Sequence, residues 1–175
     1  MAIAEGRTIP FTGPETVDVA VLETFEYAGP EQEIVTETRE FSPVCPYSGL
    51  PDFATLRIVY VPGDRCIELK SLKYYVTSYR NVGIFQEHAT AKIAEDLFGV
   101  LQPRRLAVTT IYNTRGGFDT TCAVTASSNP GTSRLTSPVT RGCTSRTPAI
   151  ARTRSSRGNG ARRATANTSA KRDST

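Results

Sequence analysis

Residues 68–101, ELKSLKYYVTSYRNVGIFQEHATAKIAEDLFGVL, carry two successive apolar stripes whose reading decides the fold class. Leu69, Leu72, Val76 and Tyr79 recur at intervals of three and four, the repeat that lines one face of an α-helix, and predict a helix over 68–80. Asn81-Val82-Gly83 interrupts it. Phe85, Ala89, Ile93, Leu97 and Leu101 then restore the stripe until Pro103, which cannot continue a helix. Two helices in direct succession, with no strand between them, exclude an alternating β-α-β chain.

On either side of this pair the residues turn β-rich. Residues 15–27 (ETVDVAVLETFEY) and 32–41 (QEIVTETREF), separated by Ala28-Gly29-Pro30, predict an antiparallel hairpin. Ala54–Val61 (ATLRIVYV), closed by Pro62-Gly63-Asp64, predicts a further strand. Leu106–Tyr112 and Phe118–Ala126, joined by Asn113-Thr114-Arg115-Gly116-Gly117, predict a second hairpin. The order indicates an α+β fold: an antiparallel sheet covered on one face by two consecutive helices. Such a sheet leaves exposed edges, which proteins protect by pairing or covering, so homo-oligomerisation through the edges is expected.

Charge divides the 175 residues unevenly. Residues 1–119 hold 11 basic and 16 acidic residues, a net −5, whereas residues 120–175 hold 10 and 1, a net +9. Every Phe and Tyr lies at or before Phe118. One domain is expected over 1–126, followed by a basic Ser/Thr/Arg tail over 127–175 that has too little apolar surface to offset its ordering entropy and is expected to be disordered. The tail also admits a non-enzymatic alternative, a nucleic-acid-binding protein holding phosphates through salt-sensitive, sequence-independent attraction. Without aromatics there, base-specific recognition is not expected. No apolar run approaches the ~20 residues of a membrane-spanning helix. The start MAIAEGR lacks the basic and apolar blocks of a secretory signal, so a cytoplasmic location is expected.

Cys45, Cys66, Cys122 and Cys143 show no C-x-x-C spacing, and His88 is the single histidine, so no metal is expected. Cys45 sits between strands, flanked by prolines, with Asp52 seven residues on. A fixed loop suits a nucleophile, provided nearby positive charge or N–H groups favour the thiolate; a partly buried loop thiol is the ordinary alternative. Lys70, Ser71 and Lys73 surround the first turn of the first helix, where cations and backbone donors suit a phosphate-bearing ligand as well as a plain solvated face. Gln86-Glu87-His88 opens the second helix, where Glu87 either serves the helix dipole or accepts two N–H bonds from a guanine-like edge.

Cys45-Pro46-Tyr47-Ser48-Gly49-Leu50-Pro51-Asp52-Phe53, Glu68-Leu69-Lys70-Ser71-Leu72-Lys73-Tyr74-Tyr75 and Phe85-Gln86-Glu87 together resemble the 7-cyano-7-deazaguanine reductases, the NADPH-dependent nitrile reductases of tRNA queuosine biosynthesis, in their short single-domain form. The resemblance implies a tunnelling fold (T-fold) whose subunits close into rings, usually stacked in pairs, with active sites at subunit boundaries. It further implies that Cys45 adds to the nitrile carbon to form a thioimide and that Asp52 gives a proton to the nitrile nitrogen. Two NADPH then carry the carbon to the amine 7-aminomethyl-7-deazaguanine. Glu87 with Gln86, and the segment Ile67-Glu68-Leu69, are implied to bind the deazaguanine; Lys70, Ser71 and Lys73 are implied to meet the NADPH phosphates. Many members carry His where this chain has Gln86.

Overall fold

A computed structural model describes residues 6–7, 9–129 and 132–133. Seven strands and two helices follow in the order β1 (Thr24–Glu26), β2 (Ile34–Phe41), β3 (Ala54–Val61), β4 (Arg65–Ile67), α1 (Leu69–Ser78), α2 (Gln86–Leu101), β5 (Arg105–Tyr112), β6 (Thr121–Asn129) and β7 (Thr132–Ser133). The main sheet has the order β2-β3-β5-β6-β7, antiparallel throughout, and β1 with β4 forms a separate two-stranded sheet. The expected α+β class is the one observed.

β3 shows how the alternation of its residues makes it a central strand. Ala54, Leu56, Ile58 and Tyr60 are buried on one side, while Arg57 points outward. On the buried side lies α2, whose Ala89, Ile93 and Leu97 are fully buried in one core with Leu56, Ile58 and Val108. Each such aliphatic side chain contributes about 1.5–3 kcal/mol on leaving water. Two polar contacts lock the layers. The Thr90 and Thr110 hydroxyls join α2 to β5 at 2.6 Å, and Tyr75 of α1 donates to Asp96 of α2 at 2.5 Å while meeting Tyr79 at 3.0 Å. α2 ends at Gln102, which takes the left-handed conformation (φ 47°) and bonds back to Phe98 before Pro103.

The first predicted hairpin is not formed. Within 15–27 only β1 is a strand, and it pairs with β4 (Phe25 opposite Cys66), while Pro14–Thr16 and Val19–Val21 are 3-10 turns. The reason lies at Glu23: its N–H bonds the buried Ser71 hydroxyl at 3.0 Å, and its carbonyl accepts from Glu68 N at 2.9 Å. The run is thereby tied to the start of α1, and β2 pairs instead with β3, Glu37 opposite Arg57. The second hairpin forms as expected, with Val108 opposite Val124. β6 runs past the expected domain end at 126 through Asn129, and Arg105 pairs with Ser127. The remainder of the predicted disordered tail, apart from β7, lies outside the described residues.

Candidate active site

Cys45 is the first residue of a closed loop. Its N–H bonds Leu50 O at 2.9 Å and its carbonyl accepts from Gly49 N at 2.8 Å, while Asp52 N bonds Pro43 O at 2.7 Å. Gly49 takes φ +69°, which a side chain would resist. The rungs bring Cys45 and Asp52 to the two sides of one short ladder centred on Val44 and Pro51. A second ladder, Val44 N to Val82 O and Ile84 N to Val44 O, ties the loop to the segment entering α2. The Asn81-Val82-Gly83 break between the helices therefore delivers the start of α2 to the cysteine loop.

Three side chains converge there. Asp52 is 3% exposed and paired with the Arg115 guanidinium, and the Gln86 amide also bonds its carboxylate. Burial pushes the Asp52 carboxyl above its ordinary range, against the opposing pull of Arg115 and Gln86. At Cys45 burial would raise the thiol, but bonds from the Ser48 hydroxyl and backbone, and then from Arg115, outweigh it and hold the pKa below its usual value. Arg115 Nη2 also meets Ser48 Oγ at 3.4 Å. The two shifts run in opposite directions, easing loss of the thiol proton at Cys45 and retention of the carboxyl proton at Asp52, the directions that a nucleophile and a neighbouring acid need.

Arg115 and Ser48 were not singled out from the sequence. Arg115 is placed by the turn Arg115-Gly116-Gly117-Phe118, in which Arg115 and Phe118 exchange backbone bonds at 3.0 and 2.9 Å. Gly116 and Gly117 both have positive φ (56° and 84°), as the tight hairpin turn requires. The Gly-Gly signal was therefore visible in the chain, but the partner 63 residues upstream was not.

Glu87, one residue into α2 from Gln86, is exposed. Its charge, with that of Asp52, helps keep the largely buried Tyr112 hydroxyl protonated, burial being the larger cause, and it raises the Cys122 thiol together with burial. His88 is exposed beside Phe85. Cys45, Cys66 and Cys122 are free thiols, and among the described residues no His/Cys/Asp/Glu group could hold a metal.

The remaining candidates lie elsewhere. Glu68 caps α1, accepting from Lys70 N at 3.0 Å and Ser71 N at 2.7 Å, and these backbone bonds lower its pKa. Ser71 is buried, its hydroxyl donating to Glu68 O at 2.7 Å. Ile67, Glu68 and Leu69 border a groove of about 570 Å³ that continues to Phe25 and Ile34. Lys70 is exposed, and Lys73 is exposed with Glu40 4.0 Å away. Ile67 N bonds the Tyr60 hydroxyl near the end of β3, whereas Asp52 precedes its start. Across an eight-residue strand the two clusters are roughly 20 Å apart. The structure joins Cys45, Asp52 and Gln86, and it does not bring Ile67, Glu68 or Leu69 to them within one chain.

Comparison with known proteins identifies the family. The QueF-like protein family matches residues 51–130. The NADPH-dependent 7-cyano-7-deazaguanine reductase of Thermotoga maritima is 51% identical over 122 residues, covering 69% of this chain and 89% of that relative. The enzyme of the same name from Caldicellulosiruptor bescii is 50% identical over 116 residues, covering 65% and 88%. The crystal structure of the archaeosine synthase QueF-Like in the apo form is similar in fold, with a TM-score of 0.54 at 22% identity over 58% of this chain and 100% of that one. With half of the aligned residues identical along most of those relatives' length, the chain belongs to the family of NADPH-dependent 7-cyano-7-deazaguanine reductases.

Proposed function

We propose that the protein reduces the nitrile of 7-cyano-7-deazaguanine to the primary amine 7-aminomethyl-7-deazaguanine with two NADPH. The observation that carries this reading is the thiol held below its ordinary pKa on the same short loop as a buried carboxyl held above its own. The Cys45 thiolate adds to the nitrile carbon, a C–S bond forms, one π pair of the C≡N bond moves to nitrogen, and Asp52 supplies that nitrogen with a proton. The result is a thioimide. NADPH, when bound, supplies hydride; Cys45 holds the carbon in place, and its thiol leaves as the first reduction collapses to the imine. Glu87 accepts the N–H edge of the deazaguanine, with Gln86 beside it.

Ile67, Glu68 and Leu69 complete the base pocket from a second copy of the chain. The roughly 20 Å between the clusters supports this arrangement, since one chain cannot close a small purine-like ligand between them. Subunits joined edge to edge as a T-fold ring, with rings stacked in pairs, are the corresponding assembly. The α1 face supports the cofactor reading: Lys73 and Arg80, with Glu40 between strand and helix, border a groove of about 220 Å³ whose wall is Leu69, Leu72 and Val76, and Lys70 stands at the same helix start. Lys70 and Lys73 would meet the phosphates, and Ser71, already engaged with Glu23 and Glu68, would hold the helix start that presents them. No helix among the described residues is long and apolar enough to cross a membrane. The free described thiols suit the reducing cytoplasm.

The test mixes purified protein with 7-cyano-7-deazaguanine, weighs the intact chain for adduct, then adds NADPH and follows its absorbance. Adduct followed by NADPH loss is expected, and Cys45→Ala should abolish both. Nitrile reduction by that variant would overturn the mechanism.

A further inference from the structure

Arg115 reaches both reacting groups of the candidate site. One nitrogen of its guanidinium, Nη1, donates to Asp52 Oδ1, Nη2 faces Ser48 Oγ at 3.4 Å on the closed loop that begins at Cys45, and the guanidinium is among the groups that hold the Cys45 thiol below its usual pKa. Its backbone is fixed by the reciprocal bonds to Phe118 and by two glycines that permit the turn. A planar fork with five donors can engage two acceptors at once, which a lysine ammonium on a flexible stem does poorly. The site contains a nucleophile that works as an anion and an acid that becomes one.

We propose that Arg115 is a positioning residue shared by Cys45 and Asp52, neutralising the thiolate before addition to the nitrile and the Asp52 carboxylate after it. The inference rests on the nitrile-reductase reading. Before addition the three groups are thiolate, carboxylic acid and guanidinium. Sulfur then bonds to the nitrile carbon, the displaced π pair goes to nitrogen, the Asp52 O–H bond breaks and an N–H bond forms. A neutral thioimide, a carboxylate and the same guanidinium remain, so net charge is unchanged while the negative charge moves from sulfur to oxygen. A cation within reach of both positions favours the two events together: as sulfur loses its charge, the guanidinium's pull falls on Asp52 and draws off its proton. Among the described residues, the other titratable groups around this cluster are Tyr112 on β5, Glu87 on α2 and Cys122 on β6. None of these is a cation, so among the described residues Arg115 is the positive charge beside both groups.

Alkylation of Cys45 by iodoacetamide, followed by peptide mass over a range of pH without substrate, reads the thiolate directly. Adduct formation with 7-cyano-7-deazaguanine reads addition and protonation together. In Arg115→Gln the alkylation midpoint should rise by about one pH unit, slowing the reaction at neutral pH about 10-fold. Adduct formation should slow by about 100-fold or more, because the proton step is also lost. Arg115→Lys should recover most of the alkylation rate and little of the adduct rate. Both variants should keep the wild-type circular dichroism and a single cooperative melt, Arg115→Gln melting somewhat lower because the buried Asp52 loses its ion-pair partner and Arg115→Lys recovering part of that loss. An unchanged alkylation midpoint in Arg115→Gln, or full recovery of both rates in Arg115→Lys, would overturn the shared role. A wild type that never forms adduct, with the midpoint still raised in Arg115→Gln, would overturn the nitrile reading while supporting the hold of Arg115 on Cys45.

Discussion

Asp52 and Glu68 stand at opposite ends of β3: Asp52 is held by Pro43 just before the strand starts, and Glu68 follows Ile67, which is held by the Tyr60 hydroxyl near the strand's end. In the proposed assembly, a ligand touching both lies between two chains. Cys45→Ala and Glu68→Gln, each inactive alone, should therefore regain activity when unfolded together and refolded as a mixture. Random mixing gives sites with both native halves in about one quarter of positions. NADPH consumption measures it, and no recovery would place the whole site in one subunit.

Asp52→Asn keeps the size of the side chain and removes the proposed proton donor. Turnover should fall by about 10²–10⁴, the usual contribution of a positioned acid. Stability should move the other way. The folded carboxyl has a raised pKa, so the native state binds its proton more tightly than the unfolded chain does, and wild-type stability declines as pH rises from 3.8 through the folded value. Asparagine carries no such penalty. Chemical denaturation should find Asp52→Asn at least as stable as wild type at neutral pH, the difference vanishing below the ordinary carboxylate value.

Gly117→Val tests the turn that places Arg115. Its φ of +84° is open to glycine, and a β-branched residue there costs about 1–2 kcal/mol. Because the surrounding space is open, the strain should relax by shifting the turn. Adduct formation should fall with it, while circular dichroism of the helices stays constant.

The layer between the helices is testable by stability alone. Leu97→Ala should cost about 2–5 kcal/mol through the cavity it opens under α2. Tyr75→Phe strips Asp96 of a buried donor, with Lys92 remaining as its ion-pair partner at 3.0 Å, and should cost about 1–3 kcal/mol. Urea denaturation of both measures this. A value near zero for Tyr75→Phe would mean that Asp96 is satisfied by Lys92 alone.

Several elements were legible because the signal is local. The stripes from Leu69 to Tyr79 and from Phe85 to Leu101 are set by the helical repeat, β3 by a β-rich run closed at Pro62-Gly63-Asp64, and the β5–β6 hairpin by a turn that needs two glycines. The run 15–27 misled because its Val and Thr content suits a strand, whereas its end is captured by Ser71, 48 residues away. The same distance effect hid Arg115: an arginine beside a Gly-Gly turn carries no sign of the carboxylate it will meet.

By itself the sequence determined the α+β class, the succession of two helices, the cysteine loop and the residue types able to do nucleophilic and acid chemistry, because periodicity, turn residues and short motifs act over a few positions. Only the tertiary structure decided that Cys45, Asp52, Gln86 and Arg115 meet, that Ser71 is buried, and that Glu68 lies at the far end of β3. Strand pairing and burial are long-range events, and they set which charges share a low-dielectric space and therefore which thiol has its pKa lowered.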